Sequence, residues 1–341
     1  MVRSTGIIIL VVKGNNKYIL AQAALLIQRG GIVAFPTETV YGLGANAFDA
    51  RAVAKIFEIK GRPMDNPVIV HIASVRDLLR VARVVPLMAR KLARVFWPGP
   101  LTLVLLKHAD IPLVTTGGLD TVAVRVPDHA VARALIRAAG VPIAAPSANT
   151  SGKPSPTTAR HVRDDFGDRV PMILDGGSTR VGVESTVVDC TVDPPMILRQ
   201  GGITRELLAR VIPTIQVFRA GVSAAKSPGL RYRHYAPHAP LMIALSADDD
   251  HMFVEVQQFI DAHAGMRVGV LCASESAGRY ARAAAIVTLG SRHNLRACAR
   301  RLFAALREFD TLNLDFIIAE RFPSTGIGAA VMDRLTRASQ K

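Results

Sequence analysis

Apolar residues recur three and four positions apart from Tyr18 to Gln28, and the pattern stops at Gly30-Gly31, which predicts a helix ended by glycine. Ile32–Phe35 is a short apolar run of the kind that makes a buried strand. A second helix is expected over Arg51–Lys60, with Asp49 as its N-cap, because an aspartate oxygen accepts from amides that the first turn leaves unpaired. Val68–Ile72, Leu101–Leu106 and Val122–Val126 read as strands, Ala130–Ala139 as a helix, and Ile203–Val211 as a helix following Gly201-Gly202. Such elements, mixed with Pro- and Gly-rich loops, imply an α/β domain on a twisted sheet.

Residues 212–240 break this rhythm. Gly221, Pro228, Gly229, Pro237 and Pro240 punctuate a stretch that also holds Arg231, Tyr232, Arg233, His234 and Tyr235. It is too long for an ordinary connection, and such segments are usually linkers or lids; Ser227–Pro237 is the candidate lid. Beyond it, Leu241–Leu245, Val268–Cys272, Ala285–Thr288 and Phe316–Ala319 alternate with helical stretches at 251–263, 292–309 and 326–338. That order predicts a small parallel sheet with helices on both faces. The expected division is a domain over 1–211, a linker over 212–240 and a second domain over 241–341, in keeping with about 150 residues per domain.

Composition narrows the class. Half of the 341 residues are hydrophobic and 20% are charged, which excludes disorder as the dominant state. The longest apolar runs, Gly6–Val12 and Leu241–Leu245, are strand-length and far short of the ~20 residues that span a bilayer. Lys13 and Asn15 follow the first run where a signal peptide would have small residues, so the start reads as mature sequence. Cys190, Cys272 and Cys298 are odd in number and far apart, which offers neither a disulfide framework nor a zinc knuckle. A soluble, cytoplasmic protein with no membrane partner is expected. The net charge of +15 is uneven: residues 1–240 carry 30 Lys and Arg against 16 Asp and Glu, whereas 241–341 carry 12 against 11. The basic part would attract polyanions, although the same charge also serves plain solubility.

Four segments concentrate polar residues: Pro36–Gly44, Lys60–Pro63 continuing to Asn66 and His71, Pro146–Ser155, and Gly182–Thr186. Most lie beside expected strand ends, where open α/β sheets bind ligands. Glycines let backbone amides approach an anion, hydroxyls add donors, and Lys60 and Arg62 add fixed charge. Together they suit a nucleoside triphosphate held without a Walker A loop, since that pattern is absent. Gly42-x-Gly44-x-x-Ala47 matches a dinucleotide fingerprint, but six residues separate strand from glycine and the next helix starts too late.

The runs GGIVAFPTETVYGLG (30–44), KGRP (60–63), WPGPLTLVL (97–105), VAVRVPDH (122–129), PSANTSGKPSPT (146–157), GVESTVVD (182–189) and ILRQGGI (197–203) resemble the YrdC-type domain of threonylcarbamoyl-AMP synthases. SPGLRYRHYAP (227–237) and GIGAAVMDRLTRA (326–338) are similar to the linker and C-terminal domain of that family's long form. The resemblance implies a YrdC-like twisted mixed sheet with helices around a basic cavity, then a smaller Rossmann-like domain. It implies a nucleotidyltransferase that converts L-threonine, bicarbonate (or CO2) and ATP into L-threonylcarbamoyl-AMP and pyrophosphate. That product feeds the threonylcarbamoyladenosine modification at position 37 of tRNAs reading codons that start with A, through a downstream transferase complex. Mg²⁺ would arrive with ATP, and tRNA is a further partner for the basic face. An RNA-binding module is the rival reading, but the hydroxyl-rich loops suit a small ligand and no aromatic stacking platform appears.

Carried over residue by residue, the resemblance puts L-threonine at Thr39, His71, Arg125, Ser185 and Ala145, the last through its backbone. ATP falls to Arg62, Asn66, Thr121, Ser147, Ser155, Arg199 and Tyr235, and Lys60 and Arg62 are the candidate catalytic residues, facing the phosphates or the carbamate. The guanidinium of Arg125 matches a carboxylate. On the residues alone, Arg125 reads equally as a structural ion pair, His71 as a core histidine, and Ser147, Ser155 and Ser185 as turn residues. Asp333 stands where the family commonly has Asn, and Asp248–Asp250 reads as a solvated helix start, not a metal site.

Overall fold

The computed structural model describes residues 10–13, 16–218 and 235–340, so most of the candidate lid, with Arg231, Arg233 and His234, lies outside the described residues. The first helix forms as Lys17–Gln28, where Asn16 accepts from the Tyr18 amide, and Gly30 follows at φ 74°. Helix Ala50–Lys60 starts where the Asp49 carboxylate accepts from the amides of Arg51 and Ala52, and stops at Gly61 in the left-handed region. Ala130–Ala139 and Leu101–Leu106 form as the pattern predicts.

The strands up to residue 217 join in one mixed sheet of eleven. Its order runs Leu10–Lys13, Met172–Asp175, Val33–Phe35, Gly42–Asn46, Ile143–Ala145, Ile69–His71, Thr121–Arg125, Leu101–Leu106, Thr186–Asp189, Met196–Arg199 and Gln216–Val217. Gln216–Val217 pairs with Met196–Arg199, so this sheet reaches into the segment read as linker. Apolar cores line both faces, one through Val53, Leu103 and Val124 and another through Phe35, Leu135 and Ile143.

Gly42–Asn46, read from sequence as partly loop, is a strand antiparallel to both Val33–Phe35 and Ile143–Ala145. A Cβ on Gly44 would stand 2.7 Å from Ile143 Cγ2 and from Phe35 Cε1. The glycine therefore answers to sheet packing, and no helix opens there to meet a pyrophosphate.

Several strands end together. His71 and Arg125, the last residues of parallel neighbours, are register partners, and Ala145 closes the strand on the other side of Ile69–His71. Ser185 precedes Thr186–Asp189, and Arg199 ends its antiparallel neighbour. This convergence builds the site.

The second domain is a parallel sheet in the order Leu241–Ile243, Phe316–Ala319, Val268–Cys272, Ala285–Thr288, with helices Asp249–Ala262, Leu295–Phe309 and Gly328–Ser339. Asp248 caps the first of these helices by accepting from the His251 amide. The domains share a core: Val40, Val183 and Tyr235 pack with Phe303, Leu306 and Leu335. Arg307 crosses the junction to Asp165 (2.8 Å) and to the Pro154 carbonyl (2.5 Å). Among the described residues no helix is long and apolar enough to cross a membrane.

Gly182 sits at that junction with φ +82°, and a Cβ there would lie 2.2 Å from Arg300 Cα in helix Leu295–Phe309. Replacing it with alanine adds backbone strain to a clash with helix backbone, so Gly182→Ala is expected to lower unfolding stability by about 2–4 kcal/mol. Denaturant unfolding of the full chain checks this; an unchanged midpoint would mean that the helix does not dock this closely.

Candidate active site

One pocket collects nine of the residues expected from sequence: Thr39, His71, Arg125, Ala145 and Ser185, together with Arg62, Ser147, Arg199 and Tyr235. Lys60, Asn66, Thr121 and Ser155 stand outside its lining. Thr121 begins its strand opposite Leu106. Asn66 is buried beside Arg62, with its amide nitrogen unpartnered.

Arg125 is 3% exposed, and its guanidinium is shared among three partners. Nη2 lies 2.6 Å from Glu38 Oε1, Nη1 donates to Thr39 Oγ1 at 2.9 Å, and Nε donates to the Gly99 carbonyl at 3.2 Å. Thr37 spends its hydroxyl proton on the Val40 carbonyl (2.7 Å), so across the 2.8 Å contact between the two threonines Thr39 is the donor. The Thr39 hydroxyl is thus pinned, accepting from Arg125 and donating to Thr37. A guanidinium has five N–H donors; two, on Nε and Nη1, are spent in hydrogen bonds, while Nη2 meets Glu38 as an ion pair without hydrogen-bond geometry, so donors remain on both terminal nitrogens, the pair that a carboxylate fork takes. The geometry therefore combines a buried ion pair with N–H donors that no protein acceptor takes, in the lining of the pocket.

His71 stands next to Arg125 with its ring edge-on to Phe35 and its Nδ1 buried and unpartnered. Burial and the Arg125 charge push its pKa down to about 3, so the imidazole is neutral at physiological pH. On the facing wall, Ser185 Oγ meets Thr102 Oγ1 at 2.7 Å, while Arg199 donates through Nε (3.2 Å) and Nη2 (3.0 Å) to the Ser185 carbonyl. Ser155 reaches the pocket indirectly, donating to Glu184 Oε1 at 2.6 Å.

Lys60 is placed differently from its expected position against phosphates or a carbamate. Its side chain is 1% exposed and donates to the carbonyls of Ser147 (2.6 Å) and Asn149, bracing the 146–155 loop from behind. Burial, and then the neighbouring Arg62 charge, hold its pKa well below the usual lysine value. Arg62 itself projects into the pocket, its guanidinium held by the carbonyls of Asn66 (3.3 Å) and Pro67 (3.0 Å).

Tyr235, just beyond the undescribed linker, is 5% exposed and sits at φ 65°, an uncommon conformation for a tyrosine. Its ring stacks on Phe303 of the second domain at 5.1 Å. Burial raises its pKa to about 12, keeping the phenol protonated. Two acidic residues went unassigned from sequence, Glu38 and Glu184. The available signal was their type: a carboxylate inside a loop built for anions needs a cation beside it, and Arg125 and Arg334 supply those charges. Arginines, hydroxyls and a neutral histidine with no cysteine in the lining suit binding of a carboxylate and a polyphosphate side by side.

Comparison with known proteins agrees with that arrangement. Residues 25–201 match the family model described as "Telomere recombination" (Sua5_yciO_yrdC), and residues 203–340 match "Threonylcarbamoyl-AMP synthase, C-terminal domain". The threonylcarbamoyl-AMP synthase of Bacillus subtilis is 51% identical, the match covering 94% of this chain and 92% of that protein. The enzyme of the same name from Pyrococcus abyssi is 50% identical, with 93% of each chain covered. The crystal structure of P. abyssi Sua5 complexed with L-threonine superposes with a TM-score of 0.91 at 48% identity, over 97% of both chains. By sequence, by both of its domains and by fold, this chain belongs to the threonylcarbamoyl-AMP synthase family.

Proposed function

We propose that this protein is an L-threonylcarbamoyladenylate synthase, converting L-threonine, bicarbonate and ATP into L-threonylcarbamoyl-AMP and pyrophosphate. The observation that carries the reading is the pocket whose lining holds Thr39, His71 and Arg125 together with Arg62, Ser147 and Arg199. The first group suits an amino acid and the second a nucleotide.

The neutral amine of threonine captures CO2 with loss of a proton, or bicarbonate with loss of water, giving a carbamate. A carbamate oxygen then attacks the α-phosphorus of ATP, and the bond to the bridging oxygen breaks as pyrophosphate leaves. No protein nucleophile takes part, so the work of the side chains is to position the reactants and stabilise charge. Arg125 would hold the threonine carboxylate, and Arg62 and Arg199 the phosphates. Mg²⁺ would come bound to the nucleotide through phosphate oxygens and water, and Glu38 and Glu184 are both paired with arginines. Carbamates lose CO2 in water, so a closing lid would favour the reaction, and Ser227–Pro237 remains its candidate. The excess basic charge of residues 1–240 supports tRNA as a further partner, and the product requires a separate threonylcarbamoyl-transfer complex.

Purified protein with Mg²⁺ and ATP is expected to release pyrophosphate only when L-threonine and bicarbonate are both present, with serine as the control amino acid. No threonine-dependent release from folded, ATP-binding protein would overturn the reading and favour RNA binding alone.

A further inference from the structure

Among the described residues, Glu184 is the one acidic residue that lines the pocket, and it stands with Ser155, Arg199 and Tyr235, all assigned to the nucleotide. A bare carboxylate there would repel a polyphosphate. Its counter-charge comes from the other domain: Arg334, in helix Gly328–Ser339, donates through Nε to Glu184 Oε2 at 2.8 Å. Arg334 has no exposed surface. Its Nη2 donates to the Gln200 carbonyl (3.0 Å), its Nη1 meets Asp333, and the guanidinium carbon lies 5.5 Å from the centre of the Tyr235 ring. A fully buried arginine is costly to place unless its donors are met, and here one of them, Nε–H, is given to a carboxylate of the pocket lining.

We infer that Arg334 is a positioning residue of the nucleotide site: by cancelling the charge of Glu184 from the C-terminal domain, it keeps that wall receptive to ATP. The inference rests on the synthase reading. It gives the second domain a defined part in catalysis, since without its last helix Glu184 loses the arginine that bonds it and is left with the weaker charge of Arg199. It also accounts for Ser155, whose hydroxyl proton is committed to Glu184 Oε1 and whose oxygen is left to accept. The charged and titratable groups around Glu184 are Arg334 and Asp333 from the last helix, Arg199 from its strand and the phenol of Tyr235. Asp333, in turn, is held by Arg337 at 3.1 Å. In the intact protein, burial favours the neutral carboxyl but Arg334 and Arg199 outweigh it and hold Glu184 ionised.

The test compares the full-length Arg334→Met, Arg334→Lys and Arg334→Met/Glu184→Gln variants with wild type, reading the KM of ATP and of threonine from pyrophosphate release. Threonine-dependent release by the wild type establishes the reaction first, so a failure there falls on the proposed function and not on Arg334. With the wild type active, Arg334→Met is expected to raise the KM for ATP about tenfold or more, with the KM for threonine within about twofold. That defect should shrink as pH falls, because Glu184 without its partner takes up a proton more easily. Arg334→Lys and the double variant, both free of the uncompensated charge, should return the ATP KM to within about threefold of wild type. An unchanged ATP KM in Arg334→Met, or equal rises in both KM values that the double variant does not relieve, would overturn the inference and leave Arg334 as domain glue. Should Arg334→Met fail to fold, the double variant decides alone: an ATP KM raised about tenfold in that neutral pair would overturn it.

Discussion

Arg125→Met is expected to lower kcat/KM for L-threonine by about 10³-fold, the scale for losing preorganised donors aimed at a reacting anion. The same change strands Glu38, which is 2% exposed and 2.6 Å from the guanidinium it would lose. Breaking a buried pair by removing one partner costs about 3–5 kcal/mol, so low activity alone would not separate a substrate-binding arginine from a structural one. The double variant Arg125→Met/Glu38→Gln makes the separation. With the uncompensated carboxylate gone, thermal stability should return close to that of wild type, while the threonine defect persists because the guanidinium donors for the ligand are still missing. Recovery of both stability and turnover would mean that the carboxylate of threonine is bound elsewhere. Calorimetry and pyrophosphate release on the three proteins read both quantities.

The pairing of Arg125 with Glu38 shows where the sequence was legible and where it stopped. Ala130–Ala139 and Leu101–Leu106 were readable because each carries its own period, and so were the four strands of the second domain, set between glycines and polar turns. Gly42–Asn46 was not. Its residues, GLGAN, have no β-branched or aromatic side chain, and its strand character comes from neighbours on both sides that leave no room for a Cβ at Gly44. Met172–Asp175 and Met196–Arg199 each follow a proline directly and end in a charged residue, which cuts the apolar run to three residues.

The site divides in the same way. Hydroxyl- and glycine-rich loops announce an anion site, and most of the expected residues do meet there. What sequence could not give is the direction a long side chain takes. Lys60 and Arg62 are two residues apart, yet Gly61, turning left-handed at the helix end, lies between them: Lys60 runs under the 146–155 loop and Arg62 reaches the pocket. Nor could it give ion pairs that join residues 87 and 150 positions apart, Glu38 with Arg125 and Glu184 with Arg334. Asp333, where Asn was expected, pairs with Arg334 and Arg337 on its own helix, and its charge also reaches Arg199 and Tyr235 in the pocket lining.

Arg62 carries the second large expected effect. Its guanidinium is fixed before substrate arrives, because Nε and Nη2 are bound by the carbonyls of Asn66 and Pro67 in a turn anchored at Gly61. A donor held in place costs little reorganisation as charge builds on the phosphates, so Arg62→Ala should lower kcat/KM for ATP by about 10²-fold or more at saturating threonine. Arg62→Lys should recover only part of this, since an ammonium keeps the charge but cannot satisfy both carbonyls and a phosphate in one plane. The KM for threonine should change little, because the Arg125 side of the pocket is intact in both variants. Near-wild-type kinetics in Arg62→Ala would remove Arg62 from the nucleotide site. The phosphates would then fall to Arg199, the other arginine assigned to ATP in the pocket lining, which is held by the Ser185 carbonyl.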